Sequence, residues 1–337
     1  MGRAEAPLLK LGILAIDGCL LSSVAGPIDA LRIAERIAQL KQPALAPRFV
    51  AHVLNARGQT RVLTSNGLIL DGVRTDLPPL DVLLVPGVMA EDPQALCGRV
   101  TELDAEVELL RRVRAQGIRV AASCSGTFLL AKTGLLDGRR ATTSWWLGAS
   151  FRRLYPRVHL DIDQMVVEDE GVITTGAATA VLNLVIKLIG ESAGEDLAQQ
   201  VGRMLAIDAE RQSQAPFVSM AMQERPRTSL AEKAERFLRK AIDSEISVTA
   251  LAQHCGTSER SLLRHFKAHY GMSPLEHIQR LRIERAKALL ETTHLSFDEV
   301  VERCGYRDVS SFRKLFKRAT ALTPADYRER FRLRARA

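Results

Sequence analysis

Ile118-Arg119-Val120-Ala121-Ala122-Ser123-Cys124-Ser125-Gly126-Thr127-Phe128-Leu129-Leu130-Ala131-Lys132 decides how most of this chain is read. Residues 118–122 form a short apolar run, the pattern of a strand buried in a parallel sheet. Ser123 to Gly126 form a small polar turn, and residues 127–132 read as a helix. A strand that passes through one sharp turn straight into a helix is half of a βαβ unit. It also has the form of a nucleophile elbow, with the apex residue, Cys124, presented beside a helix N-terminus. That position favours anions and is expected to lower the Cys124 thiol pKa.

The same alternation extends in both directions. Strands are expected at 10–16, closed by Asp17-Gly18, at 48–54, at 81–85 running into Pro86-Gly87, at 158–167 and at 172–175. Ser65-Asn66-Gly67 between 62–63 and 68–70 signals a hairpin. Helices are expected at 26–40 with Pro27 in the first turn, at 103–116 closed by Gly117, at 177–189 and at 194–207. Strands alternating with helices predict an α/β domain with a mostly parallel sheet and helices on both faces.

Beyond residue 208 the strand signal ends. The expected organisation is an α/β domain over 8–208, a linker over 209–228 containing Gln212-Ser213-Gln214-Ala215-Pro216 and Pro226-Arg227-Thr228, and an all-helical domain over 229–331. Charge divides in the same way. Residues 1–220 carry 23 Lys and Arg against 24 Asp and Glu, whereas residues 221–337 carry 24 against 15. The whole excess of +8 thus lies in the helical third, and the tail from Arg328 to Arg336 accounts for only part of it. A compact basic domain joined to a neutral one is an electrostatic footprint for a phosphate backbone.

Composition excludes several classes. At 46% apolar and 26% charged, the 337 residues are those of a globular protein, neither fibrous nor disordered. The most apolar helix, Ala177 to Ile189, is short for a membrane span and carries Asn183 and Lys187. Met1 to Leu11 has no apolar core of the signal-peptide kind. The five cysteines are widely spaced with no CxxC pair, against a disulfide framework or zinc centre and in favour of a reducing cytoplasm. Cys19, Cys97, Cys255 and Cys304 read as buried small hydrophobes.

The basic third contains one helical pattern twice. In the first copy Val248, Leu251 and Ala252 face one way, Cys255-Gly256-Thr257 turns, and Ser258 caps a helix whose Leu262 and Phe266 point inward. In the second, Val300 and Val301 precede Cys304-Gly305-Tyr306, and Asp308 caps a helix whose Phe312 and Phe316 repeat that spacing. A long helix, 274–291, lies between them. A short helix, a glycine turn and a second helix with basic and hydroxyl residues outward is how a helix-turn-helix enters the major groove. The plainer alternative is a helical bundle with solvated basic faces.

Ser258 to Phe266, Gly271-Met272-Ser273-Pro274, Arg282 to Leu290, Cys304-Gly305-Tyr306, Phe312 to Phe316 and Thr323 to Arg328 together resemble the AraC/XylS family of transcription regulators. Helical spacing turns Arg260, Ser261 and Arg264 outward, and the resemblance implies that Arg260, Leu263 and Arg264 of the first unit and Ser310, Arg313 and Lys314 of the second face DNA. Arginine or lysine there suits guanine or phosphate, while Leu263 suits only a thymine methyl. It further implies double-stranded promoter DNA and RNA polymerase as partners, a homodimer, and activation rather than repression.

Around the elbow, Ala25-Gly26-Pro27, Val85-Pro86-Gly87, Gly134 to Thr143 and Thr174 to Ala177 resemble the PfpI-like superfamily related to class I glutamine amidotransferases. The closer resemblance is to the GlxA-like branch fused to AraC-type domains. Enzymes of the superfamily place a His after the elbow Cys and an acid before the Ala-Gly-Pro turn, and the fused branch has His-Trp after Ala-Thr-Thr. Here these positions are Ser125, Ser23 and Ser144-Trp145. The expectation is therefore a non-catalytic domain that needs no cofactor or metal. Its small-molecule effector, an amino acid or quaternary amine by resemblance, would bind among Ser23, Cys124, Ser125, Ser144 and Trp145. Trp145 and Trp146 could wall such a pocket through cation–π contact or serve as ordinary packing. A cysteine-dependent hydrolase or hydratase, and a thiol redox sensor through Cys124, remain alternatives.

Overall fold

The computed structural model describes residues 8–41, 43, 48–208, 212–219, 229–244 and 246–332. Residues 1–7, Pro226-Arg227-Thr228 and the arginines beyond Arg332 lie outside the described residues. The chain divides into two compact units, residues 1–214 and 215–337.

The first unit is built on strands β1 (Leu8–Leu14), β2 (Arg48–Leu54), β3 (Arg61–Leu63), β4 (Ile69–Asp71), β5 (Val82–Val85), β6 (Arg119–Ser123), β7 (Arg140–Ala141), β8 (His159–Leu160), β9 (Val166–Asp169) and β10 (Val172–Thr175). Its helices are α1 (Ser22–Lys41), α2 (Pro93–Thr101), α3 (Asp104–Ala115), α4 (Gly126–Lys132), α5 (Gly148–Leu154), α6 (Ala180–Ala193) and α7 (Glu195–Met204). The main sheet has the order β2-β1-β5-β6-β10-β9, parallel except for the antiparallel edge pair β10–β9.

Side-chain alternation sends successive residues to opposite faces and makes two cores. Leu83, Val85, Val120 and Ala122 pack with residues of α2 to α5, whereas Val82, Leu84 and Ala121 pack with α1, α6 and α7. This is the three-layer α/β fold that the alternating pattern predicts. The order leaves β1 in opposite directions toward β2 and β5, so the topological switch lies between β1 and β5. Ligands of such sheets bind outside the carboxyl ends of the strands near that point. The elbow after β6 adjoins it. Leu20, after β1, donates its N–H to the Gly87 carbonyl after β5, and a Cβ on Gly87 would lie 3.3 Å from Cys124 Cβ.

Several expected elements are shifted, with β1 at Leu8–Leu14, α6 at Ala180–Ala193 and α7 ending at Met204, and two further ones differ for a visible local reason. The first helix begins at Ser22, not residue 26, because the N–H groups of Ser23, Val24 and Ala25 already bond to the Leu20 and Leu21 carbonyls. The expected strand 158–167 is two strands. Between them the Asp161 carboxylate takes the Asp163 N–H at 3.1 Å, a local turn bond that interrupts the extended chain.

The second unit has seven described helices: α8 (Ser229–Ala241), α9 (Val248–His254), α10 (Glu259–Tyr270), α11 (Pro274–Thr292), α12 (Phe297–Arg303), α13 (Val309–Thr320) and α14 (Pro324–Phe331). Ser247, Ser258, Ser273, Ser296, Asp308 and Thr323 accept hydrogen bonds from the first turns of six of them. Each such cap is worth about 1 kcal/mol. Two small cores result, and α11 belongs to both. Its Ile278 packs with Leu251, Leu262 and Phe266, and its Ile283, Ala286 and Leu290 pack with Val301, Phe312 and Phe316.

Candidate functional site: paired helix-turn-helix units and a cysteine elbow

The two units of the basic domain are formed by the same local chemistry. On α10, Ser258 Oγ takes the Ser261 N–H, and Leu262 and Phe266 are fully buried. Arg260, Leu263 and Arg264 are thereby exposed and Ser261 half-buried. On α13, the Asp308 carboxylate takes the N–H groups of Ser310 and Ser311, and Phe312 and Phe316 are fully buried. Ser310, Arg313 and Lys314 are exposed. The Ser311 hydroxyl and these N–H groups hold the Asp308 carboxyl below its usual range, so the cap keeps its charge at neutral pH. The Arg313 guanidinium lies 5.0 Å from the centre of the Phe297 ring, which restrains a long side chain on the solvent face.

Arg282, on the shared helix α11, was not singled out from sequence. It is almost wholly buried and spans the two halves. Its guanidinium donates to the carbonyls of Ser244 at 2.6 Å and Ile242 at 3.4 Å, and sits 5.0 Å from the Tyr306 ring centre. Gly305 makes this approach possible. A Cβ there would lie 2.8 Å from the Ile242 carbonyl oxygen, and its φ of +71° is one that side chains rarely adopt.

Cys124 has the geometry of an elbow apex. Its φ is +56°, one of four positive values at non-glycine residues among those described. Its N–H bonds to the Thr175 carbonyl, its carbonyl accepts the Thr143 hydroxyl at 2.8 Å, and its Sγ lies 2.7 Å from Ser144 Oγ. Ser125 Oγ accepts the Val88 N–H and donates to the Val88 carbonyl. The five residues expected to line an effector pocket, Ser23, Cys124, Ser125, Ser144 and Trp145, are all buried, at 0–6% exposure. Trp145 packs edge-to-face on half-buried Trp146, with ring centres 5.2 Å apart. The hydroxyls of Ser23, Ser123 and Thr175 are buried with no hydrogen-bond partner.

The expected lowering of the Cys124 thiol pKa is overturned. Burial pushes it up, and hydrogen bonds from Ser144 and Ser125 only partly offset the cost of an anion without solvent. No His or carboxylate hydrogen-bonds to Sγ among the described residues; its side-chain partner is the Ser144 hydroxyl. Asp17, the acidic residue that follows the first strand, accepts the Leu63 N–H and is a turn residue. Because the thiolate is the reactive form, iodoacetamide at pH 7.5 should modify Cys124 at least about tenfold more slowly than free cysteine. Peptide-resolved mass spectrometry measures this, and a rate equal to free cysteine would contradict the burial argument. Cys19, Cys255 and Cys304 are buried as expected, whereas Cys97 is only half-buried.

An open cleft of about 280 Å³ lies away from the elbow, at the carboxyl end of β2, between Asn55, Asp76, Leu77, Glu108 and Arg112. Among the described residues no cluster of His, Cys, Asp and Glu could hold a metal ion, and no helix is long and apolar enough to cross a membrane.

Two family models match the two units. Residues 51–191 match the DJ-1/PfpI family, and residues 251–330 match a helix-turn-helix domain. The transcriptional regulator CdhR of Pseudomonas aeruginosa is 29% identical over 332 residues, covering 96% of this chain and 93% of that one. The transcriptional regulator GlxA of Rhizobium meliloti is 31% identical over 227 residues, covering 66% of this chain and 68% of that one. Isonitrile hydratase of Pseudomonas putida is 30% identical over 196 residues, covering 57% of this chain and 76% of that enzyme. With an elbow-bearing α/β unit, a basic double helix-turn-helix unit and regulators matched along nearly the whole chain, this protein belongs to the GlxA-like family of transcriptional regulators, in which a DJ-1/PfpI domain precedes an AraC-type DNA-binding domain.

Proposed function

We propose that the protein is a promoter-binding activator whose α/β unit senses a small nitrogenous metabolite without chemically converting it. Arg260, Ser261 and Arg264 of α10 and Ser310, Arg313 and Lys314 of α13 read two successive segments of the major groove. The observation that carries this is the repeated exposure of equivalent helix positions, Arg260 with Ser310, Leu263 with Arg313 and Arg264 with Lys314, above the same buried pair, Leu262 and Phe266 in one unit and Phe312 and Phe316 in the other. Arg260 and Arg264 carry more of the base reading, and Arg313 and Lys314 divide between bases and phosphates. The protein acts as a homodimer and engages RNA polymerase.

The effector, an amino acid or quaternary amine, occupies the region of Ser23, Cys124, Ser125, Ser144 and Trp145. Support comes from the unpartnered hydroxyls of Ser23, Ser123 and Thr175, which burial makes costly unless a ligand or solvent satisfies them. The domain has no enzymatic role: a buried, protonated thiol with Ser144 as its side-chain partner lacks the base that a nucleophile requires. An aryl isonitrile, chosen because one relative is named for hydrating that class, should accordingly show no turnover. Turnover lost in Cys124→Ala would overturn this part of the reading.

The regulator reading is tested by binding to the DNA upstream of the protein's own and neighbouring genes, with competitor DNA and a salt titration. A specific complex whose affinity falls steeply with salt is expected. Arg264→Ala should lower that affinity about 10- to 100-fold and relax preference at one base position, because a bidentate arginine–guanine contact is worth about 1–3 kcal/mol. Equal binding to all DNA, or an unchanged affinity in Arg264→Ala, would overturn the assignment.

A further inference from the structure

Gln214 is the last residue of the first compact unit, and the chain passes from it directly into the DNA-binding unit at Ala215. It lies within the polar stretch expected to be free linker. Instead its side chain is buried, at 1% exposure, inside the α/β unit. Nε2 donates to the Thr143 carbonyl at 2.8 Å, with the Thr142 hydroxyl and the Gln164 carbonyl both at 3.3 Å, and Oε1 accepts the Ala177 N–H at 3.1 Å. The backbone is anchored as well. The Gln214 N–H bonds to the Asp163 carbonyl, and the Gln212 carbonyl accepts the Met165 N–H. Gly176 leaves room for the amide: a Cβ there would lie 2.6–2.7 Å from its three terminal atoms.

Besides residues 163–165, two segments grip this amide, and both also grip the elbow. Thr143 gives its carbonyl to Gln214 and its hydroxyl to the Cys124 carbonyl. Its neighbour Ser144 bonds Cys124 Sγ. On the other side, Thr175 accepts the Cys124 N–H, and Ala177, two residues on, donates to Gln214. Cys124 holds a backbone conformation that is strained for a non-glycine residue and persists only while its surroundings impose it. One arrangement of Thr142–Ser144 and Thr175–Ala177 therefore serves both the strained apex and the anchored end of the linker.

We propose that Gln214 is a latch, a positioning residue through which the state of the Cys124 elbow sets whether the root of the interdomain linker is held or released. Its use as an effector relay rests on the proposed effector site; the coupling itself does not. Release of Gln212–Gln214 lengthens the free tether by about 10 Å at full extension. That changes the reach of the DNA-binding unit and hence the operator geometry it can meet. Coupling of this kind is reciprocal: whatever loosens the latch must also loosen the elbow.

The test uses the full chain and needs no effector. Gln214→Met keeps the length but removes the amide, and Gly176→Ala displaces the amide without altering Gln214. In both, iodoacetamide should modify Cys124 about tenfold faster than in the wild type, a typical coupling factor. Cys19, buried in the same unit, and Cys255 and Cys304 in the other should stay within about twofold, in keeping with a local change. In the reverse direction, Ser144→Ala should speed amide hydrogen exchange of the peptide spanning residues 212–217 to a similar extent. Unchanged Cys124 reactivity in both latch variants, a parallel rise at Cys19 that reports general loosening, or unaltered exchange in Ser144→Ala would each overturn the latch. Failure of the regulator reading would appear separately, as loss of specific DNA binding by the wild-type protein.

Discussion

Arg282→Met is expected to lower affinity for the specific promoter fragment by about a hundredfold, although Arg282 faces no groove. The variant keeps the apolar stem but removes every donor. The buried Ile242 carbonyl then loses its partner, at a cost of about 1–3 kcal/mol, and the more exposed Ser244 carbonyl loses the same donor. The stacking on Tyr306 in the turn of the second unit goes with them. What is lost for function is the fixed relation between α10 and α13. Two modules held at a defined spacing can exceed either one alone by about 10²–10⁴, and the gain disappears when geometry forbids simultaneous engagement. Binding to a fragment carrying the segment for only one unit should therefore change little. Fluorescence anisotropy on the two fragments makes the comparison, and an equal loss on both would mean that Arg282 supports folding rather than spacing. Gly305→Ala should produce the same selective loss, because its Cβ would meet the Ile242 carbonyl from the other side of the junction.

Gly126→Ala is expected to be the most damaging single methyl group in the α/β unit. A Cβ at this position would lie 2.5 Å from the Pro86 carbonyl oxygen and 2.9 Å from that of Val85. Neither atom is the end of a flexible side chain; both are backbone carbonyls, one in the last residue of the central strand β5 and one in the residue after it. Helix α4 cannot retreat, because Phe128, Leu129 and Leu130 are buried at 0–1% exposure in the opposing core. Overpacking of this kind costs about 1–3 kcal/mol and at times more. For a unit of 214 residues, a loss of about 3 kcal/mol lowers the melting temperature by roughly 6–12 °C. Scanning calorimetry should place the shift in the α/β unit, and a melting temperature within about 2 °C of the wild type would contradict the close-approach argument. The same contact explains why glycine follows Ser125: α4 starts hard against β5, which places the apex Cys124 at the sheet's carboxyl end.

Local information in the sequence was sufficient wherever local chemistry decides the outcome. Largely apolar runs bounded by turns identify β1, β5, β6 and β10, since a strand covered on both faces must be mostly apolar, and the half-buried edge strand β2 is legible from a similar run. Ser258 and Asp308 are legible as caps, and the paired spacing of Leu262 with Phe266 and Phe312 with Phe316 is legible as two inward faces, because both depend on neighbours within one helical turn. The outward positions follow by subtraction. The identity of Cys124 as an elbow apex is likewise a property of one strand, one turn and one helix.

Tertiary structure decided whatever depends on groups far apart in the chain. The elbow's local setting points to a lowered thiol pKa, yet burial of Cys124 raises the value instead, against the opposing hydrogen bonds of Ser144 and Ser125. Desolvation is set by the whole surroundings, not by a neighbouring helix end. Gln214 lies in a stretch whose composition matches a linker. Its burial is fixed by carbonyls and N–H groups of Thr143, Gln164 and Ala177, backbone groups that carry no side-chain signature. Arg282 resembles any other arginine of a basic helix until Ile242, Ser244 and Tyr306 close around it. The two units, most of their elements and the faces they present are legible in the residues alone, because propensity, periodicity and capping act over a few residues. Only the fold decided which polar groups are cut off from water and which distant backbone atoms they must then satisfy, because burial is a property of the assembled chain.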